Sequence, residues 1–163
     1  MAALQHLVVM GVSGSGKTTV GLALAAALGR DFAEGDDFHP PANVAKMAAG
    51  TPLDDDDRGP WLDAIGGWLA ARSEPAVVSC SALKRAYRDR LRGFAPGILF
   101  VHLVVDPATV RARVAGREGH FMPASLVGSQ FEALEPLGAD EPGIAVDAAL
   151  PVGEIVARVT AAS

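Results

Sequence analysis

The stretch Gly11-Val12-Ser13-Gly14-Ser15-Gly16-Lys17-Thr18 follows directly on the apolar run Leu7-Val8-Val9-Met10, and its reading decides the fold. It is a complete G-x-x-x-x-G-K-[ST] pattern, with a strand signal before it and a helix signal after it. Gly11, Gly14 and Gly16 let the backbone curl so that successive N–H groups face phosphate oxygens, and the following helix adds the positive end of its dipole. Lys17 then reaches the β and γ phosphates, and the Thr18 hydroxyl is placed to ligate Mg²⁺. A glycine-rich turn that matches by accident is the competing reading, and the strand–loop–helix context argues against it. The stretch predicts a nucleoside-triphosphate site that draws on Gly11, Ser13, Gly14, Ser15, Gly16, Lys17, Thr18 and the adjoining Thr19.

The rest of the chain bounds what such a site can serve. At 163 residues it suits a single domain, 1–163, with a sizeable core. A net charge of −5 offers no general basic field, so neither nucleic acid nor an anionic membrane is an expected partner. Cys80 is the only cysteine, which excludes an intrachain disulfide and suits a reducing, cytoplasmic setting. No basic segment leads into an apolar stretch at the N-terminus, and no apolar run has the length of a membrane span.

Strand and helix signals alternate from the loop outward. Residues 4–10, 31–34, 76–79, 98–105 and 143–146 read as strands. Residues 17–28, 41–49, 83–91, 123–134 and 152–159 read as helices, with another after Asp57-Arg58-Gly59-Pro60 and one starting at Asp106-Pro107. Trp61, Leu62, Ile65, Trp68 and Leu69 recur at helical spacing, which assigns both tryptophans to the core. The pattern predicts an α/β fold, a three-layer α/β/α arrangement around five parallel strands, with ligands at the strands' carboxyl ends.

Phosphoryl transfer also needs a metal, an oriented nucleophile and positive charge on the transferring group. Glu34 and Asp36, one residue apart at the end of the second strand, are candidates to hold the metal's water shell and to take the acceptor's proton; a solvated acidic turn is the alternative. The run Asp54-Asp55-Asp56-Asp57 reads as helix capping. Arg58 beside it is a candidate to grip an acceptor group, held by the neighbouring acids. Ser79-Cys80-Ser81-Ala82 brings small residues to the end of the third strand, with Lys84 adding charge and Cys80 reading as a buried small residue. Arg88 and Arg92 read as helix-surface charges. Arg111, Arg113, Arg117 and His120 concentrate positive charge in and before a glycine-punctuated stretch, and Arg113 and Arg117 suggest a mobile lid over about 113–125, with Arg111 left on the surface. His39 and His120 can contact substrate or satisfy a loop.

Several blocks in this order carry a resemblance over nearly the whole length. They are Met10 to Thr18, Gly35-Asp-Asp-Phe-His-Pro40, Lys46-Met47 with Gly50, and Pro52-Leu53 with Asp55, Asp57-Arg58 and Trp61-Leu62. Cys80-Ser-Ala-Leu-Lys84, Tyr87-Arg-Asp89, Arg117 with Gly119-His-Phe121, and Gln130-Phe-Glu132 complete them. The chain resembles the small P-loop gluconate kinases, relatives of shikimate and adenylate kinases. The resemblance implies an adenylate-kinase-like fold and transfer from ATP, with Mg²⁺, to the 6-hydroxyl of D-gluconate. It implies that Asp36 lies beside the acceptor hydroxyl and that Arg58, Ser81 and Lys84 line the substrate side. Lys17, Asp36 and Arg117 then carry the catalysis and Arg113 the nucleotide, while His39 and His120 move toward the substrate pocket. Glu34 stands where similar kinases often carry aspartate, as a metal candidate with Thr18. The segment after Val146-Asp147 is implied to line the adenine pocket, and similar enzymes are commonly homodimers.

Two other readings use the same loop. One is a kinase for another small polar acceptor, such as shikimate or a nucleoside monophosphate; the other is a nucleotide-dependent switch. Against shikimate, the third strand ends in Ser-Cys-Ser-Ala rather than glycines; against a nucleotide acceptor, there is no clear aromatic platform for a second base. Against a switch, no N-K-x-D base-reading motif is present.

Overall fold

The computed structural model describes residues 5–115 and 127–162. Strand β1 (Leu7–Met10) runs into the phosphate loop, which opens helix α1 (Lys17–Leu28). Strand β2 (Asp31–Glu34) leads through a 3₁₀ turn (Gly35–Phe38) to α2 (Pro41–Ala48) and α3 (Asp55–Ala70). Then come β3 (Ala76–Ser79), α4 (Arg85–Phe94), β4 (Leu99–Val104), α5 (Pro107–Ala115), α6 (Val127–Ala133), β5 (Gly143–Asp147) and α7 (Val152–Ala162). All strand pairings are parallel, in the order β2-β3-β1-β4-β5. The five-stranded α/β P-loop fold expected from the sequence is the one observed.

Side-chain alternation divides the core between the two sheet faces. Leu7 and Val9 of β1 pack with Val20 and Leu24 of α1 and Ile155 and Val159 of α7. Val8 and Met10 face the other way, onto Trp61, Ile65 and Leu69 of α3 and Leu91 of α4. With both faces covered, β1 must be apolar at every position, and all four of its residues are buried. Its carboxyl end therefore delivers the phosphate loop from the centre of the sheet, between β3 and β4, where chain connections diverge.

Two boundaries differ from expectation for physical reasons. β1 starts at Leu7 because its partners begin opposite it, at Val77 and Leu99. The preceding His6 is used otherwise, its Nδ1 accepting from Ala76 N–H at 3.0 Å. Helix α3 starts a turn before Pro60, because Asp54 and Asp57 form a reciprocal capping box with bonds of 2.7 and 3.0 Å. Pro60 then sits inside the helix without an N–H to donate. Of the expected helix 123–134, residues 123–126 lie outside the described residues.

Arg88 overturns its surface reading. Tyr87, Arg88 and Leu91 are the buried face of α4. The completely buried guanidinium donates to Glu141 Oε1 and Oε2 at 2.9 and 3.0 Å and to the Ala82 carbonyl at 2.9 Å. Arg92, expected beside it on the surface, also reaches Glu141, at 2.9 Å. Burial alone would raise the Glu141 carboxyl; Arg88, the Gly138 N–H and Arg92 instead hold it down at about 2. A buried pair of this kind is costly to break from one side, because the partner charge stays in the core. Glu141→Gln is expected to destabilise the fold by about 3–5 kcal/mol, read as a lower urea midpoint at unchanged slope.

Candidate active site

The phosphate loop adopts the curl that its glycines permit. Gly11, Gly14 and Gly16 have φ of +148°, +84° and +99°, conformations in which a side chain is strained. Gly16 at the N-cap of α1 supplies no side-chain acceptor to the first turn. The Ser15 hydroxyl is buried at the same turn and finds no hydrogen-bond partner among the described residues. An unmatched buried hydroxyl beside a helix N-terminus that has no side-chain cap fits a phosphate. Lys17 Nζ donates to the Gly11 and Val12 carbonyls, both at 3.0 Å, and Arg113 Nη1 donates to the Gly14 carbonyl at 3.0 Å.

Beside the loop, the Thr18 hydroxyl donates to Glu34 Oε2, and Ser79 Oγ donates to Glu34 Oε1 at 2.5 Å. Strand pairing brings this about, since Glu34 stands opposite Ser79 where β2 and β3 end. Gly35 follows because a Cβ there would lie 2.0 Å from the Ser79 carbonyl oxygen. A cleft lined by Lys17, Thr18, Thr19, Glu34 and Asp36 opens over the pair. A hydroxyl and a carboxylate are hard oxygen donors, which suit Mg²⁺. No group of three or more His, Cys, Asp or Glu side chains able to hold a metal occurs among the described residues.

A second cleft joins the loop to the acceptor candidates. Ser13 and Lys17 form one wall, with Asp36, His39, Arg58, Trp61, Ser81 and Gln130 around the rest. Asp36 rides on the 3₁₀ turn. The His39 ring stacks on Trp61 at 4.2 Å and 12°, and its Nε2 lies 3.9 Å from Asp36 Oδ1. Burial, then the nearby Arg58 charge, lowers His39 to about 4, so the ring is neutral near pH 7. Arg58 is held by the Leu53 carbonyl at 2.6 Å and the Tyr87 hydroxyl at 3.3 Å, rather than directly by an acid. Tyr87 in turn donates to Asp55, which also accepts from Lys84 at 3.2 Å. Lys84 does not line this cleft; it connects to Arg58 through Asp55 and Tyr87. Arg117 and His120, and the lid stretch 116–125, lie outside the described residues, while Arg111 is exposed. Burial pushes Cys80 up to about 12, consistent with a packing role.

Two residues were missed as site residues. Gln130 Oε1 accepts from Ser13 N–H at 2.6 Å, tying α6 to the phosphate loop; its block in the sequence was the available signal. Trp61 is core, as its spacing predicts, but also forms cleft wall, and periodicity does not distinguish the two. On the opposite side of the loop, Val104, Asp106, Arg113, Val146 and Asp147 line a third cleft. A neighbouring cleft shares Arg113 and Ala149 with it and is lined by Leu150, Pro151, Gly14 and Gly16.

Comparison with known proteins narrows the chemistry. The AAA domain family matches residues 7–137. The chain is 54% identical over 145 residues to the gluconokinase of Gluconobacter oxydans (strain 621H), spanning 87% of this chain and 82% of that protein. The chain belongs to the gluconokinase family. A gluconokinase structure from Sinorhizobium meliloti 1021 superimposes with a TM-score of 0.88 at 54% identity, covering 97% of this chain and 90% of that one. An unliganded sugar kinase from Janibacter sp. HTCC2649 gives 0.93 at 46% identity, over 98% and 94%. As a gluconokinase-family P-loop protein, the chain is an ATP-using kinase. No helix among the described residues is long and apolar enough to cross a membrane.

The histidines give this kinase a defined acid sensitivity. His39, His6 and His102 all lie below their ordinary value of 6.5, chiefly through burial. Below that value the unfolded chain takes up protons that the folded chain refuses. Their contribution is complete above about pH 6.5 and declines as pH falls toward the folded values. Urea midpoints are expected to drop steadily from pH 7 to pH 5, and His39→Gln is expected to make that slope shallower.

Proposed function

We propose that this chain transfers the γ-phosphate of ATP to the 6-hydroxyl of D-gluconate, giving 6-phosphogluconate and ADP. The observation that carries the reading is the cleft in which Asp36, His39, Arg58 and Ser81 face Ser13 and Lys17 of the phosphate loop. Acceptor-binding and phosphate-binding groups share one space, as direct transfer requires. The gluconokinase-family membership supports gluconate over shikimate or a nucleotide as the acceptor.

In this reading the loop amides and the α1 dipole hold the β and γ phosphates, and Lys17 leaves the Gly11 and Val12 carbonyls to join them. Asp36 takes the proton of the acceptor hydroxyl as its oxygen bonds to phosphorus and the bond to ADP breaks. Arg58 grips the acceptor, and Ser81 lines its site. Lys84 acts on the same side through Asp55 and Tyr87. Arg113 bridges loop and nucleotide, and the clefts from Val104 to Pro151 take adenine. Thr18 and Glu34 would hold Mg²⁺, which neutralises phosphate charge when bound. Arg117 and His120 complete the site from a lid at about 113–125. The protein is proposed to act in the cytoplasm as one kinase domain, in a homodimer.

The test is ADP release with Mg-ATP and gluconate, shikimate, glycerate or nucleoside monophosphates, beside a control lacking acceptor. Turnover with gluconate alone is expected; turnover with a different acceptor would keep the kinase and reject the substrate. Two variants separate the roles. Asp36→Asn is expected to lower kcat by at least roughly a hundredfold while the ATP KM stays within about twofold, because general-base help of about 10²–10⁴ is lost. Arg58→Ala is expected chiefly to raise the gluconate KM. Equal loss of ATP binding in Asp36→Asn would reassign Asp36 to metal or structural work.

A further inference from the structure

Asn43 lies on α2, outside the cleft, and almost completely buried. Its Nδ2 donates to the Asp57 carbonyl at 2.9 Å. A backbone carbonyl only accepts, so this bond settles which end of the Asn43 amide faces Asp57. The same Nδ2 lies 3.2 Å from His39 Nδ1. An NH₂ group brings a second proton there and offers no lone pair, so Nδ1 must be the accepting nitrogen. In a neutral imidazole the ring proton then resides on Nε2. The ring plane is set independently, by stacking on Trp61, whose Nε1 donates to the Gly35 carbonyl at 2.8 Å.

We propose that Asn43 is a positioning residue for the acceptor: by fixing the His39 tautomer it makes Nε2–H a hydrogen-bond donor facing the Asp36 carboxylate. The proposal rests on the gluconokinase reading for its substrate, a polyhydroxy acid, and on geometry alone for the tautomer. Nε2 and Asp36 Oδ1 are 3.9 Å apart, too far for a direct bond and close enough for one hydroxyl oxygen to meet both. That hydroxyl accepts from Nε2–H and donates to Asp36. The opposite tautomer would present two acceptors to one hydroxyl, and one of them would go unsatisfied. Asn43 thus selects a hydroxyl at this point in the cleft without touching it. Its neutral charge matters as much as its shape, since a carboxylate at position 43 would oppose the Asp57 carbonyl and draw the proton to Nδ1.

The deciding measurement is the ¹⁵N spectrum of the full-length protein at pH 7, with the His39 signals identified by their loss in His39→Gln. Neutral imidazole protonated at Nε2 is expected; a proton on Nδ1 overturns the proposal whatever the enzyme's activity. In the Mg-ATP and gluconate assay, Asn43→Asp is expected to lower kcat/KM for gluconate roughly ten- to hundredfold, with the ATP KM within about twofold. His39→Gln, which keeps an N–H near the Nε2 position, is expected to retain more activity than His39→Asn, which places it near Nδ1. An Asn43→Asp enzyme with unchanged kcat/KM, or equal activity in the two His39 variants, would sink the positioning role. Should Asn43→Asp fail to fold, the wild-type spectrum and the His39 pair still decide. A wild-type enzyme inactive on gluconate would reject the substrate assignment and leave the tautomer result standing.

Discussion

One buried guanidinium holds the acceptor side of this protein together. Arg88 leaves α4 toward the protein interior and reaches Glu141, ahead of β5, together with the carbonyls of Ala82 and Leu83 after β3. Ala82 has φ of +41°, a conformation that a residue with a Cβ adopts only under constraint. Satisfying its carbonyl from a rigid, ion-paired side chain supplies that constraint. The segment 81–84 is thereby held at the end of the sheet, where Ser81 enters the cleft. Glu135 N–H adds a bond of 2.7 Å to the Leu83 carbonyl, joining the same segment to the stretch that follows α6.

The segment then reaches the phosphate loop. Gly11 N–H donates to the Ser81 carbonyl at 3.2 Å, and Ser13 N–H donates to Gln130 on α6. The phosphate loop, the segment 81–84 and α6 thus share hydrogen bonds of their own. Transfer chemistry is sensitive to misplacement of the reacting groups by an ångström. A network of short backbone bonds limits such error better than long exposed side chains do, because few rotamers are left to order.

What the sequence made legible follows from locality. The phosphate loop, the strand–helix alternation and the acids at the end of β2 are encoded within a few residues each, and the parallel sheet appeared as expected. The run Asp54–Asp57 reads as capping and does form the capping box of α3, but the helix was placed after Pro60, a strong local signal, when it begins at Asp55. Arg88 was read as solvated because charge on a helix usually is; its burial depends on Glu141, 53 residues away. Gln130 and Asn43 escaped for the same reason, since amides acquire meaning only from partners that folding supplies. Asp36, His39, Arg58 and Ser81 were anticipated, and the fold gathers them around one cleft.

The charge arrangement explains how an acidic chain, of net charge −5, can accommodate two anionic substrates. Its cations are local and mostly restrained: Arg58 by Leu53 and Tyr87, Arg113 by Gly14, Lys17 by the loop carbonyls. In the proposed reading the rest of the attraction comes from backbone N–H groups at the α1 terminus, which carry no net charge and need no counterion. Distant acids are screened over about 8–10 Å, so they weaken these contacts little. His39 fits this scheme because it stays neutral. A protonated ring at that point would pair with Asp36 and stabilise it as an anion, lowering its capacity to take a proton. In the proposed reading, Trp61 and Asn43 keep the ring packed and place a hydrogen-bond donor beside Asp36, the pairing that a substrate hydroxyl requires.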